Sequence, residues 1–317
     1  MRESATAYLE SQYANFGGSF EMEYTLERDP QPTGIKALDD ALGGGLAGGT
    51  YTIIGGTAGV GKSALACAIF YGMATMGSNP LYISCEMPAQ QVRMRLASMH
   101  SQLTNGLMPF AWSRARDSFR ANFTSRQLKQ FVEADDEQRH KWADAYIRKF
   151  SGEDPVLCSW RDMESRGIAQ RAMVREDIQS LERVAEIIQE RADNGILDAV
   201  IIDYAQLLDV PGCDSEYERM TKVSRTLQQV SKGAGCPVLL ISSLRNIGKD
   251  EKEPGLSWFR GSGYLGYDAG AAIILRGGAW ATRDDMGVDA HIVKNRNGRI
   301  PDGPVKLTAC PKYGTFE

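Results

Sequence analysis

IIGGTAGVGKSALACAIF, residues 53–70, is an apolar run that stops at two glycines. It turns through Thr57-Ala58-Gly59-Val60 and restarts as Gly61-Lys62-Ser63 ahead of an Ala- and Leu-rich helical pattern. Gly56-Thr57-Ala58-Gly59-Val60-Gly61-Lys62-Ser63 has the spacing GxxxxGK[ST], placed between a strand pattern and a helix pattern. In that context the glycines let successive backbone N–H groups curl inward onto phosphate oxygens, and the helix N-terminus adds its partial positive charge. Residues 56–64, ending at Ala64, therefore form a candidate triphosphate cradle. Lys62 is placed to reach the β- and γ-phosphates, and the Ser63 hydroxyl to ligate Mg²⁺.

Outward from this loop the chain alternates strands and helices. TGIKALDDALGG reads as a short helix, TYTIIGG as a strand, and KSALACAIFYGMATMG as a helix. PLYISCE reads as a second strand and QQVRMRLASMHSQ as a helix. After a polar stretch the rhythm returns with ILDAVIIDYAQLL, the helix EYERMTKVSRTLQQVSKGAG, the strands CPVLLISS and AGAAIILRG, and a final strand pair, HIVKNRNG and GPVKLTA, joined by a tight turn at RIPDG. Strands that are near-continuous apolar runs imply a mostly parallel sheet covered by helices on both faces. Residues 101–192 are polar and rich in helix formers, and read as an extended helical segment. Within it REDIQSLERVAEIIQERA places Ile178, Leu181, Val184, Ile187 and Ile188 on one face. Trp112, Phe119, Phe123, Trp142 and Phe150 read most simply as core residues of that layer. Residues 1–32 form a leading unit, with an apolar stripe on residues 3–16 (Ala5, Leu9, Tyr13, Phe16) and an extended Pro-Gln-Pro linker; residues 33–317 form the main domain.

Two carboxylates complete the nucleotide site. Asp203 ends the apolar strand AVIID, where it can hold the Mg²⁺ shell; the alternative is an Asp capping a turn. Glu86 ends the strand LYISCE, at a mouth where it can orient and deprotonate an attacking water. The alternative is a cap for the helix that begins after Pro88.

Composition narrows the setting. The 317 residues can bury a full core, with 43% hydrophobic and 24% charged residues. No apolar run approaches the roughly 20 residues of a membrane span, and the first residues lack a secretion pattern. The six cysteines are scattered without a CxxC pair, which fits buried thiols in a reducing cytoplasm, and the three histidines show no zinc spacing. A net charge of −4 argues against a broad nucleic-acid-coating surface but not against a few cations on loops inside a ring or cleft.

TGIKALDDAL, the P-loop, SCEMPAQQVRMRL and IIDYAQLL resemble the motor domain of DnaB-type replicative helicases, a branch of the RecA-like ATPases. The resemblance continues through EYERMTKVSRTLQQVSKGAGCPVLLISSL, SGYLGYDAGAAIIL and VKNRNG. It implies a RecA-like P-loop ATPase core, with ATP and Mg²⁺ as cofactors and single-stranded DNA and other copies of this chain, in a ring that is usually a hexamer, as partners. It implies Glu86 as catalytic base, Asp203 as the Mg²⁺ carboxylate and Gln206 as the sensor that couples the γ-phosphate to DNA loops. Lys294 and Arg296 are implied as a basic pair reaching into the next subunit's ATP; read alone, they suit a solvated hairpin. Residues 3–16 would suit an arm on a neighbouring protomer, or a helix folded back on its own.

The DNA loops should be 209–220 and 245–258, the second offering Arg245, Asn246, Lys249 and Lys252 to a phosphate backbone. Three departures stand out. Only some 30 residues precede the motor, so the family's helical N-terminal domain is expected to be missing. The family's Ser-Gln-Leu-Asn-Arg reads Ser242-Ser243-Leu244-Arg245-Asn246, and a commonly acidic stretch carries Gly261, Gly266 and Gly270. GGGL at 43–46 also resembles RadA- and KaiC-type relatives, leaving open an ATPase that remodels DNA or switches assembly state without unwinding.

Overall fold

The computed structural model describes residues 29–111, 154–247, 253–261, 264–277 and 285–317. The expected arm at 3–16, the aromatic set from Trp112 to Phe150, and Lys249 and Lys252 lie outside the described residues.

The described chain builds one nine-stranded sheet of order β3-β2-β4-β5-β1-β6-β7-β8-β9. Its first part runs from α1 (Lys36–Leu42) and β1 (Tyr51–Gly56) through α2 (Lys62–Thr75), β2 (Pro80–Ser84) and α3 (Ala89–Leu103). Next come α4 (Pro155–Ser165), α5 (Ile168–Arg171), β3 (Met173–Arg175), α6 (Leu181–Asp193) and β4 (Ala199–Asp203). The chain ends with α7 (Glu216–Ala234), β5 (Val238–Ser243), α8 (Tyr264–Asp268), β6 (Ala271–Gly277), β7 (Met286–Asn295), β8 (Val305–Cys310) and β9 (Thr315–Phe316). The strands from β3 to β6 pair in parallel, and β6 to β9 pair antiparallel.

The apolar runs sort themselves by the period of the pleat. In β1, Ile54 faces a core with Leu65 and Ile69 of α2, while Tyr51 and Ile53 face a second core with Val184 and Ile188 of α6 and Leu227 of α7. Helices thus cover both faces, as the continuous apolar strands predict. No described helix is long and apolar enough to cross a membrane.

Three local expectations change. Residues 173–175, inside the stretch read as helical, add the edge strand β3, paired to β2 through Leu81↔Met173; three residues are too few to carry a periodic signal. Ile178 precedes α6, which starts at Leu181 behind the Ser180 cap, although Ile178 joins the same core. The link between β7 and β8 runs over residues 296–304 and is no tight turn.

Candidate nucleotide site and its distant partner residues

Because β1, β2, β4 and β5 are parallel, their C-terminal ends meet at one edge. The P-loop leaves β1 there, Glu86 follows β2, Asp203 ends β4 with Gln206 just beyond, and Ser243 ends β5. Four separate sequence segments are gathered by parallel pairing at the edge where open α/β sheets bind ligands.

The P-loop has the conformation its glycines permit. Gly59 and Gly61 take φ of +74° and +98°, values costly for any residue with a Cβ. Gly61 leads into α2 without a side-chain cap, so the first N–H groups of the helix remain available to an anion. Lys62 Nζ donates to the carbonyls of Gly56 at 2.8 Å and Thr57 at 2.9 Å. That draws the ammonium back over the loop and uses two of its three N–H bonds. Burial lowers the Lys62 pKa, opposed by the negative charges of Asp203 and Glu86. Both carboxylates therefore act on the same ammonium.

Asp203 is 1% exposed. Its Oδ2 accepts from the Tyr82 hydroxyl at 2.7 Å, while Oδ1 is buried without a hydrogen-bond partner. Burial raises its pKa, opposed by Tyr82, by the neighbouring Ser63 hydroxyl and by the charges of Arg95 and Lys62. An orphaned buried oxygen is costly; beside Ser63 and a glycine cradle, it fits a cation shell that would take up its lone pairs.

Glu86 is exposed at the mouth. The turn that presents it is closed by the Ser84 hydroxyl, which donates to the Met87 carbonyl at 2.6 Å and accepts from the Met87 N–H at 3.2 Å. The alternative role for Glu86, capping α3, is filled by Glu176, whose carboxylate accepts from the Ala89 N–H. Sequence reading missed Glu176; it lies 87 residues away and only the β2–β3 pairing brings it there.

Gln206 is 9% exposed and fully engaged. Its Nε2 donates to Ser242 Oγ at 2.9 Å and to the Arg260 carbonyl at 3.3 Å, and its Oε1 accepts from the Ser243 N–H at 3.1 Å. It ties the end of β5 to the segment closing the 245–258 loop. Arg260 also pairs with Glu216 at 3.2 Å, which joins that loop to the start of α7 and the 209–220 loop. Arg245 reaches along its own loop: its Nε donates to the Ser257 carbonyl at 2.8 Å and its Nη1 to the Asn246 carbonyl at 3.2 Å, both exposed bonds that brace the loop, and the Asn246 side chain is exposed. Gly261, one of the sequence departures, has a packing reason. A Cβ there would lie 2.5 Å from Met220 Cγ, at a φ of +94°.

Lys294 and Arg296 are at the opposite edge. Asn295 pairs with Ala271, and Ala271 with Thr52, near the start of β1, while the P-loop follows Gly56. Four residues of strand separate those levels by about 13 Å. There Lys294 Nζ donates to the carbonyls of Gly266 (3.2 Å) and Tyr267, and Arg296 Nη2 to the Tyr267 carbonyl at 3.0 Å. Burial and then the charge of Arg296 lower Lys294 to about 8. The chain therefore brings Lys62, Ser63, Asp203, Glu86 and Gln206 together and keeps Lys294 and Arg296 away from them.

A mostly parallel sheet with a glycine cradle after β1 and carboxylates at the neighbouring strand ends is the architecture of a RecA-like P-loop ATPase. The family described as "DnaB-like helicase C terminal domain" matches residues 159–317, and the chain belongs to it. A second ATPase family, described as KaiC, matches residues 31–107. The replicative DNA helicase DnaB of Pasteurella multocida is 26% identical over 299 residues, 90% of this chain and 54% of its own length. The DNA repair protein RadA of Mycobacterium tuberculosis is 46% identical over 66 residues, 21% of this chain and 14% of its own. The chain thus spans about half or less of these curated relatives. Among solved structures, a DnaB-like replicative helicase described with its interactions with primase superposes with a TM-score of 0.68 at 19% identity, covering 100% of this chain and 68% of that one, a likeness of fold.

Proposed function

We propose that this chain is the motor of a ring-shaped DNA helicase, hydrolysing ATP at the junctions between copies and moving along single-stranded DNA. The observation that carries the proposal is the split site: the P-loop, Glu86 and Asp203 are at one edge of the sheet, and Lys294 and Arg296 are at the other. A site so divided is complete only when one copy offers its far edge to the nucleotide of the next, which is a heterologous contact that closes into a ring. The family resemblance implies six copies.

The roles follow from this placement. The backbone of Gly56, Thr57, Ala58, Gly59, Val60, Gly61, Lys62, Ser63 and Ala64 holds the phosphates, and Lys62 turns from its carbonyls to the β- and γ-oxygens. Ser63 and Asp203 would hold Mg²⁺, which when bound neutralises charge between the β- and γ-phosphates. Glu86 accepts the proton of the attacking water. Arg296, with Lys294, enters from the neighbouring copy and spreads positive charge over the transferring phosphoryl group. Gln206 relays the state of the γ-phosphate through Ser242 and Arg260 to the two loops after β4 and β5. Those loops would line the channel, and although the 245–258 loop is neutral as a whole, with three basic and three acidic residues, its Lys249 and Lys252 would offer point cations to the phosphate backbone in every copy. We assign residues 33–317 to this motor and residues 1–32 to an arm between copies, and place the protein in the cytoplasm.

The test is ATP turnover with and without single-stranded DNA, alongside displacement of a labelled strand from a forked duplex. A helicase shows both stimulation and displacement with one polarity. The likeness to RadA over 66 residues, with the KaiC family match over residues 31–107, favours a second reading, an ATPase that remodels DNA, which shows stimulation without displacement. A response to neither, with ATP changing only oligomer size, would make the protein a nucleotide-switched assembly factor.

A further inference from the structure

Tyr82 occupies the middle of β2 and is fully buried. It pairs in register with Ile201 while Asp203 is two residues further along β4, so the two side chains share a face, one pleat apart. A carboxylate can only accept, so the 2.7 Å bond to Asp203 Oδ2 takes the Tyr82 proton, and the Cys67 thiol of α2 donates to the same hydroxyl oxygen at 3.8 Å. The hydrogen bonds thus run in one direction, from Cys67 to Tyr82 to Asp203. One oxygen of Asp203 is anchored, and the other, Oδ1, is buried and without a partner.

We propose that Tyr82 is the positioning residue of this site: its hydroxyl holds the Asp203 carboxylate in the rotamer that presents Oδ1 to the Mg²⁺ shell beside Ser63. The inference rests on the reading of Asp203 as the Mg²⁺ carboxylate. The Tyr82 ring also packs edge-on against Phe70, centroids 5.3 Å apart, which phenylalanine could do equally well. The hydroxyl is what packing does not require. Outer partners that orient a ligating carboxylate commonly change metal affinity or activity by about 10–100-fold when removed.

The test compares full-length wild type, Tyr82→Phe, Asp203→Asn, the double variant and Phe70→Leu. Mn²⁺ binding in the presence of a non-hydrolysable ATP analogue is followed by loss of the free-ion EPR signal. Binding of the same analogue in EDTA and thermal melting run in parallel. Tyr82→Phe should weaken Mn²⁺ binding by about 10–100-fold and leave analogue binding in EDTA unchanged. In the Asp203→Asn background it should add no further loss. Phe70→Leu, which disturbs the ring but keeps the hydroxyl, should lower the melting temperature and leave Mn²⁺ affinity intact. Wild-type Mn²⁺ affinity in Tyr82→Phe, alongside a loss in Asp203→Asn, would overturn the inference and spare the assignment of Asp203. Equal losses in Tyr82→Phe and Phe70→Leu would also overturn it, in favour of packing. Retained affinity in Asp203→Asn would defeat the metal assignment itself.

Discussion

Replacing Arg296 with alanine should silence ATP turnover without touching the P-loop of the same chain. The side chain is at the start-of-β1 edge, about 13 Å of strand from the level where the P-loop begins, and bonds the Tyr267 carbonyl there. Its work, if it acts as an arginine finger, is done on a second copy. Removing such a finger costs about 10³–10⁵ in rate, which corresponds to roughly 4–7 kcal/mol of transition-state stabilisation. Lys62→Ala should be comparably inactive, because it empties the cradle of its cation. The informative sample is an equimolar mixture of the two variants. In randomly mixed rings, half the copies carry an intact P-loop and half an intact finger, so about a quarter of the junctions pair one with the other. Steady-state turnover, measured by phosphate release, should therefore rise from near background to as much as about a quarter of the wild-type value. Coupled firing around the ring would lower the recovery below that value. If mixed assemblies form, as native mass spectrometry would show, and activity stays at background, the trans-acting geometry is wrong. Normal hydrolysis by Arg296→Ala alone would refute it more directly.

Glu86→Gln should slow hydrolysis by about 10²–10⁴ while nucleotide affinity in equilibrium binding is unchanged; a parallel loss of affinity would make Glu86 a binding group. Lys294, lowered to about 8 by burial and by Arg296, should lose its charge as pH rises through that value. Turnover at sub-saturating ATP should then fall on the alkaline side with a midpoint near 8, and Lys294→Arg should remove the fall. Stability should move the opposite way: the unfolded chain keeps this proton up to 10.5, so unfolding takes up a proton between about 8 and 10.5, and urea titrations should show this contribution rising with pH in that window. Gly72→Ala, which helix propensity alone would make stabilising by about 1 kcal/mol, should instead destabilise by about 1–3 kcal/mol. The new Cβ would lie 2.4 Å from the Thr33 carbonyl oxygen, and a higher melting temperature would refute this reading of the contact.

The nucleotide half of the site was legible in the sequence because its chemistry is local. A glycine cradle needs only consecutive residues between a strand and a helix, and a carboxylate at a strand end is recognisable from the apolar run before it, as at Ile202-Asp203. The fold class followed from the same runs, since strands apolar on both faces require helices on both sides. What escaped depends on which strands are neighbours. Nothing in the string LYIS marks Tyr82 as more than a strand residue; its reach to Asp203 depends on β4 lying beside β2. Glu176, which caps α3 in place of Glu86, directly follows an edge pairing too short to announce itself. Arg245 carries the charge expected of a phosphate contact, and only the structure shows that two of its five side-chain N–H donors are spent on its own loop.

The largest division between the two levels concerns Lys294 and Arg296. By itself the sequence determined that a basic pair ends a strand, and the resemblance suggested that it serves a neighbour. Only the tertiary structure, by running β7 antiparallel to β6, carried that strand end away from the P-loop edge. The physical reason is that residue type and local spacing record what a side chain can do, whereas strand order and direction, set by packing across the whole sheet, decide what it can reach.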